Sequence, residues 1–85
     1  MAVISVCSYN MHGFNQGKVM VDDICKSNDI IMLQEHWLLP QDLYKINTYN
    51  DNFVGFSSSA MGEIISKGIL KGGMSTLIKR ICQTN

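Results

Sequence analysis

Hydrophobic residues run without interruption over residues 30 to 33, and a single carboxylate, Glu35, follows them closely. Such a run suits a strand that is covered on both faces, although periodicity alone also allows a short buried helix. Polar residues 27 to 29 mark the beginning of the run, and Pro40 limits any helix that follows it. We therefore predict a strand over residues 30 to 35, followed by a loop.

A second segment rich in strand-forming residues covers residues 3 to 9 and ends in polar groups at Asn10. Between the two strands, hydrophobic positions recur at helical spacing and predict a helix over residues 18 to 26. A crossover of this length suits a parallel βαβ unit. Because such units place ligand groups beyond the carboxyl ends of their strands, we expect Asn10 and Glu35 to emerge at the same edge.

Length and composition are those of a small folded unit. The chain has 85 residues, 46% of them hydrophobic, which predicts folding rather than disorder. A domain of this size buries only about 60 to 65% of the surface of its unfolded chain, so we expect marginal stability. Hydrophobic positions after Pro40 indicate a short helix or turn over residues 41 to 50. No repeat or linker appears, so the sequence predicts one continuous α/β unit.

The formal net charge of zero hides an uneven distribution. Residues 1 to 63 hold three lysines and seven acidic residues, whereas residues 64 to 85 hold three lysines, one arginine and no acid. A basic end of this kind can contact a phosphate backbone. Such residues more often form the solvated faces of strands and turns, so charge alone favours this structural reading over contact with nucleic acid.

The cysteines at positions 7, 25 and 82 form no CxxC pair, so neither a zinc cluster nor a thioredoxin-type site is indicated. An odd number, with Cys25 on the hydrophobic stripe of the predicted helix, is typical of buried free thiols in a reducing compartment. The first residues lack the basic start and the length of a signal peptide, and no hydrophobic run reaches transmembrane length. We therefore expect an intracellular protein of the cytoplasm or nucleus.

Two motifs, SYNMHG at residues 8 to 13 and DIIMLQE at residues 29 to 35, resemble the opening of the endonuclease/exonuclease/phosphatase family. This family includes DNase I, abasic-site endonucleases and the endonuclease domains of non-LTR retrotransposons, and the flanking residues are most similar to the retrotransposon-related branch. The resemblance implies a DNase I-like four-layer α/β sandwich, of which residues 1 to 85 form the N-terminal part without the C-terminal half. It also implies a third strand over residues 52 to 59 and a fourth over residues 72 to 78.

The resemblance assigns chemistry to three residues at the predicted sheet edge. In the family, the first strand ends in an active-site Asn, and the second ends in a Gln-Glu pair whose Glu binds a divalent metal, usually Mg2+. The matching residues are Asn10, Gln34 and Glu35. Asn10 and Glu35 are expected to hold Mg2+ or Mn2+ at a catalytic site for phosphodiester hydrolysis, with Gln34 supporting Glu35. A full-length domain of this kind is expected to bind nucleic acid.

The sequence departs from the family pattern in ways that bear on activity. It contains no Asp-x-Asn and no Asp-His pair, which in the family belong to the catalytic site. Phosphodiester hydrolysis needs a metal, a base and groups that stabilise the leaving oxygen. The first hypothesis is therefore an N-terminal part of a phosphodiesterase or endonuclease domain, with little or no activity alone. The alternative is a complete, non-catalytic, truncated domain that binds another protein through its uncovered sheet.

Each candidate residue also has a purely structural interpretation. Glu35 is otherwise an exposed carboxylate at a strand end, and Asn10 is otherwise a turn residue. His12 and His36 are expected to be loop or rim residues rather than general bases. Trp37 is expected to pack against hydrophobic neighbours rather than to stack on a nucleic-acid base.

Overall fold

The computed structural model describes residues 3–59 and 72–80 of the chain. Within these ranges the protein is a mixed α/β unit. Its elements, in chain order, are β1 (Val6–Asn10), α1 (Phe14–Ser27), β2 (Ile30–Gln34), a 3-10 helix (Pro40–Asp42), α2 (Tyr44–Asn47), β3 (Phe53–Ser58) and β4 (Met74–Lys79). No helix in the described ranges is long and apolar enough to cross a membrane.

The strands form one four-stranded mixed sheet with the order β1-β2-β4-β3. β1 and β2 run parallel and are joined through α1, so the predicted βαβ unit is confirmed. β4 pairs antiparallel with both β2 and β3. In the parallel pair, Asn10 lies opposite Gln34, which brings the carboxyl ends of both strands to the same edge.

One face of the sheet carries the hydrophobic core. Ile31, Leu33 and Leu77 come from β2 and β4, and each is at most 1% exposed. Val21 from α1 and Ile46 from α2 are buried in the same cluster. Full burial of a side chain of this type contributes about 1.5–3 kcal/mol, so apolar stabilisation is concentrated on this face.

The opposite face of the sheet, called here the open face, exposes hydrophobic side chains. Met32 is 40% exposed, although it lies between the buried residues Ile31 and Leu33. The strand register places Val6 and Phe56 on the same face as Met32, and they are 54% and 60% exposed. The expectation that β2 is covered on both faces is therefore wrong, because the buried core cluster lies on one side of the sheet.

Helix α1 begins at Phe14 rather than at residue 18, so Gly17 lies inside the helix instead of preceding it. A Cβ added at Gly17 would lie 2.7 Å from Cβ of Met11 and 2.8 Å from its backbone Cα. Only glycine permits such a close approach between α1 and the segment after β1. Packing therefore overrides the low helix propensity of this residue.

The remaining boundaries are close to those predicted. β1 begins at Val6 rather than at residue 3, and β2 ends at Gln34 rather than at residue 35. The 3-10 helix and α2 lie near and within the segment predicted to form a short helix or turn. β3 and β4 lie in the segments expected to be the third and fourth strands, so both strands are confirmed.

Candidate functional site

The carboxyl ends of β1 and β2 bring the three predicted site residues to one edge of the sheet. Asn10 is the last residue of β1, and Gln34, opposite it, is the last residue of β2. Glu35 follows directly and is half-buried, whereas Asn10 is exposed. The parallel pairing thus produces the common edge that the sequence predicts for Asn10 and Glu35.

The Asn10 side chain organises the turn that follows β1. Its Oδ1 accepts a hydrogen bond from the backbone N–H of His12 at 3.0 Å. His12 has a φ of 50°, in the left-handed region. The interpretation of Asn10 as a turn residue is therefore confirmed. It is compatible with a role in binding, because an amide oxygen has two lone pairs and this bond uses one of them.

Glu35, the residue directly after β2, has a left-handed backbone with a φ of 56°. Its N–H donates to the carbonyl oxygen of Gly73 at 2.8 Å, and its own carbonyl accepts the N–H of Gly13 at 2.8 Å. A left-handed conformation costs roughly 1–2 kcal/mol for a residue with a Cβ, and strained residues cluster at functional sites. In the described ranges, the non-glycine residues with positive φ are His12, Glu35 and Trp37, all in segments that follow β1 and β2.

The Gln34 side chain is held against β1. Its Nε2 donates to Oγ of Ser8 at 2.9 Å and to the carbonyl oxygen of Met32 at 3.2 Å. Both partners lie on the amino-terminal side of Gln34 along the sheet, whereas Glu35 lies beyond it. These two bonds make no link to Glu35, so the supporting role of Gln34 stays a prediction.

His36 is buried, with 0% of its surface exposed. It lies in a loop, as expected for a loop or rim residue, and it is buried there rather than placed at the rim. The positive φ at Glu35 changes the direction in which the chain continues after β2. His12, by contrast, is exposed in the turn after β1.

Both ring nitrogens of His36 are engaged by backbone groups. Nε2 lies 2.8 Å from the carbonyl oxygen of Ser58, and Nδ1 accepts the N–H of Leu38 at 2.9 Å. Burial lowers the pKa of His36, and hydrogen bonds with the backbone of Ser58 and Met74 offset part of that lowering. An imidazole engaged on both sides is poorly suited to act as a general base, in agreement with the sequence prediction.

Trp37 packs against the turn that follows β1. A Cβ added at Gly13, where φ is 97°, would lie 2.8 Å from Cε3 of Trp37. The ring of Trp37 thus packs within the protein, against a glycine of the turn. A second glycine, Gly73, lies even closer to the loop, since a Cβ added there would overlap the ring of His36. Sequence reasoning missed these glycine contacts, because both partners are distant along the chain from the residues that they touch.

The described basic residues near the C-terminus lie away from this edge. β4 runs antiparallel to β2, with Ile78 opposite Ile30, so Lys79 and Arg80 lie at the opposite edge from Glu35. Arg80 donates from Nε to the carbonyl oxygen of Asp51 at 3.0 Å. The other two basic residues of this end, at positions 67 and 71, lie outside the described residues.

Glu35 and Asn10 offer oxygen donors, which are the ligands that Mg2+ and Mn2+ prefer. Mg2+ usually binds through one or two carboxylates and keeps several waters, so a partly exposed carboxylate suits this ion. Within residues 3–59 and 72–80, no group of three or more His, Cys, Asp or Glu side chains is placed to hold a metal ion. Glu35 and Asn10 therefore fit part of a magnesium site rather than a complete one.

Comparison with known proteins yields no family assignment. No protein-family model matches the sequence, and a search of curated proteins found no match. The function therefore has to be inferred from the residues at the sheet edge.

Proposed function

We propose that residues 1 to 85 form the N-terminal part of a divalent-metal-dependent phosphodiesterase or endonuclease domain with a DNase I-like fold. The observation that carries the proposal is the parallel pairing of β1 with β2, which brings Asn10 and Glu35 to one sheet edge. The left-handed backbone at Glu35 adds support, because strained residues cluster at functional sites. The motifs around both residues resemble the endonuclease/exonuclease/phosphatase family, and its retrotransposon-related branch most of all.

In this proposal Glu35 binds the metal through its carboxylate, and Asn10 contributes its amide oxygen to the ion or orients a phosphate oxygen. Gln34 supports Glu35. A bound Mg2+ or Mn2+ supplies the positive charge that neutralises the phosphoryl oxygens of a phosphodiester. The residues of the chain supply the oxygen donors, and the strand pairing places them.

Hydrolysis by the 85 residues alone is expected to be weak or absent. The sequence has no Asp-x-Asn or Asp-His pair, and His36 has both nitrogens engaged. A longer domain that supplies a base and further phosphate contacts would act on nucleic acid, in the cytoplasm or nucleus. The free thiols of Cys7 and Cys25 suit such a reducing compartment.

Metal binding at Glu35 tests the proposal without requiring catalysis. We expect Mn2+, added in small amounts to 15N-labelled protein, to broaden the amide resonances of Asn10, Gln34 and Glu35 before others. Excess Mg2+ is expected to reverse the broadening by competition for the same oxygen ligands. Glu35→Gln is expected to abolish the selective broadening, because it removes the charged ligand.

The matched control is Asp51→Asn, which also removes one carboxylate. Asp51 is exposed and precedes β3 at the edge opposite Glu35, so this variant is expected to keep the wild-type pattern of broadening. Equal broadening in wild type and in Glu35→Gln would refute the assignment of Glu35 as a ligand.

A second candidate function, a non-catalytic protein-binding module, is favoured by the open face. Phe56 and Met74 are each 60% exposed there, and exposed hydrophobic patches mark interaction sites. This alternative predicts that Glu35→Gln leaves binding to the partner intact, whereas Phe56→Thr weakens it. The metal-dependent proposal predicts that Glu35→Gln abolishes Mn2+ binding and that Phe56→Thr leaves it intact. The same pair of variants therefore separates the two functions.

A further inference from the structure

His36 lies at a point where three segments of the chain meet. Its ring follows Glu35 in the loop after β2, contacts Ser58 at the end of β3, and lies against Gly73 just before β4. The residue is 0% exposed. The ring therefore joins the loop that carries Glu35 to two other strands.

The hydrogen bonds of the ring with Leu38 and Ser58 together require one protonation state. The N–H of Leu38 is a donor, so Nδ1 must accept, and the carbonyl of Ser58 is an acceptor, so Nε2 must donate. The neutral tautomer with hydrogen on Nε2 satisfies both bonds. His36 in this state acts as a fixed crosslink between backbone groups.

The same loop has an unfavourable backbone on either side of His36. Glu35 and Trp37 have φ values of 56° and 60°, and their N–H groups donate to Gly73 and Gly72 at 2.8 Å and 3.0 Å. Left-handed residues persist only where their surroundings hold them in place. Between these two residues, the side chain of His36 reaches the carbonyl oxygen of Ser58 and so ties the loop to β3.

We propose that His36 is a positioning residue, which keeps the loop after β2 in the left-handed geometry that holds the Glu35 carboxylate at the sheet edge with Asn10. The metal-binding part of this inference rests on the proposed function of Glu35. The ligand concerned is a hard divalent cation, and Mn2+ is the probe. Mutation of a group that orients a metal ligand without binding the metal itself typically reduces metal affinity 10- to 100-fold.

Two substitutions distinguish the effects of the hydrogen bonds that the His36 ring makes with Leu38 and Ser58. His36→Asn places an amide oxygen near the position of Nδ1, so it is expected to keep the bond from Leu38 and to lose the bond to Ser58. His36→Leu retains hydrophobic bulk and loses both bonds. Val21→Ala changes a buried residue of α1 and serves as a destabilised control outside the loop.

Two readouts are measured on each variant. Without metal, the Cα and Hα chemical shifts of Glu35 report whether its backbone stays left-handed. With metal, the titration of amide broadening by Mn2+ gives the affinity at Glu35. We expect His36→Leu to lose the left-handed shifts and to bind Mn2+ at least 10-fold more weakly. His36→Asn is expected to be intermediate, and Val21→Ala to match wild type in both readouts.

The outcomes distinguish this inference from the proposed function. If wild type binds Mn2+ through Glu35 and the folded His36 variants keep both its affinity and its Glu35 shifts, the positioning role is overturned. If wild type shows no Glu35-dependent binding, the proposed function fails, while the metal-free shifts still decide whether His36 holds the backbone. If His36→Leu does not fold, His36→Asn decides by the same two measurements.

Discussion

Single residues near the sheet edge combine polar chemistry with backbone strain. Glu35 has a left-handed backbone, and the N–H of His12 donates a hydrogen bond to the side chain of Asn10. The causes differ in range: the Asn10 side chain stabilises a tight turn two residues ahead, whereas Glu35 is held by hydrogen bonds with Gly13 and Gly73, which are distant in the chain. Asn10 and Glu35 were predictable as candidates from the sequence. The strain at Glu35 was not, because a positive φ at a Glu has no sequence signal.

The buried thiol of Cys25 makes stability depend on pH at the residue scale. Burial raises the pKa of Cys25, the nearby Asp22 raises it further, and a hydrogen bond with Asn50 partly offsets the rise. The unfolded chain therefore loses this proton first as pH increases. The contribution of the buried thiol to the free energy of unfolding is fully present below the pKa of cysteine in the unfolded chain, about 8.5. It is lost as pH rises from there through the pKa in the folded protein.

Urea denaturation from pH 7 to pH 10, in the presence of a reductant, measures this dependence. We expect wild type and Cys7→Ala to lose more stability across this range than Cys25→Ala, which lacks the buried thiol. Tyr49, whose pKa is also raised, chiefly by burial and least by the charge of Cys25, contributes with the same sign in all three proteins, and Cys25→Ala reduces its contribution together with that of the thiol. Parallel pH profiles for wild type and Cys25→Ala would show that the thiol does not titrate differently on folding.

At the scale of elements, α1 shows how packing can set the start of a helix. The sequence predicted a helix over residues 18 to 26 from the spacing of its hydrophobic positions. The helix instead begins at Phe14 and includes Gly17, which packs directly on Met11, where no side chain fits. The helix itself was predictable from periodicity. Its first turn depended on a neighbour that lies before the helix in the chain.

Gly17→Ala tests this explanation. Alanine improves helix propensity by up to about 1 kcal/mol, but its Cβ would lie 2.8 Å from backbone atoms of Met11, which cannot move aside cheaply. We expect a net loss of roughly 1–3 kcal/mol in the free energy of unfolding, measured by urea denaturation. Asn15→Ala, at an exposed position of the same helix, is the control and is expected to be neutral or slightly stabilising. A stabilised Gly17→Ala variant would contradict the close packing.

At the scale of the whole molecule, the two faces of the sheet differ in their burial. The core face packs against α1 and α2, whereas the open face leaves Met32 and Phe56 at 40% and 60% exposure. The uninterrupted hydrophobic run of β2 predicted a strand correctly but overstated its burial. Hydrophobic residues on a strand can reflect strand propensity as well as burial. Only the packing of the other elements shows which faces of the strand are buried.

Substitutions on the two faces should therefore have different effects. Phe56→Thr, on the open face, is expected to change the free energy of unfolding by less than about 1 kcal/mol and to reduce binding of the dye ANS to the folded protein. Leu33→Ala, on the core face, is expected to cost about 2–5 kcal/mol. Urea denaturation and ANS fluorescence of the two variants provide the comparison. A large loss of stability in Phe56→Thr would mean that the open face is packed.

Local sequence was sufficient for the first two strands and the helix between them, for the parallel βαβ unit, and for the meeting of Asn10 with Glu35 at one edge, whereas β3 and β4 were expected from the resemblance to family motifs. Periodicity and strand propensity are properties of neighbouring residues, and the topology of a βαβ unit follows from them. Long-range packing was needed for the insertion of β4 between β2 and β3, for the exposure of one sheet face, and for the burial of His36. These features depend on contacts between residues far apart in the chain, such as His36 with Ser58, and no short stretch of sequence encodes such a contact.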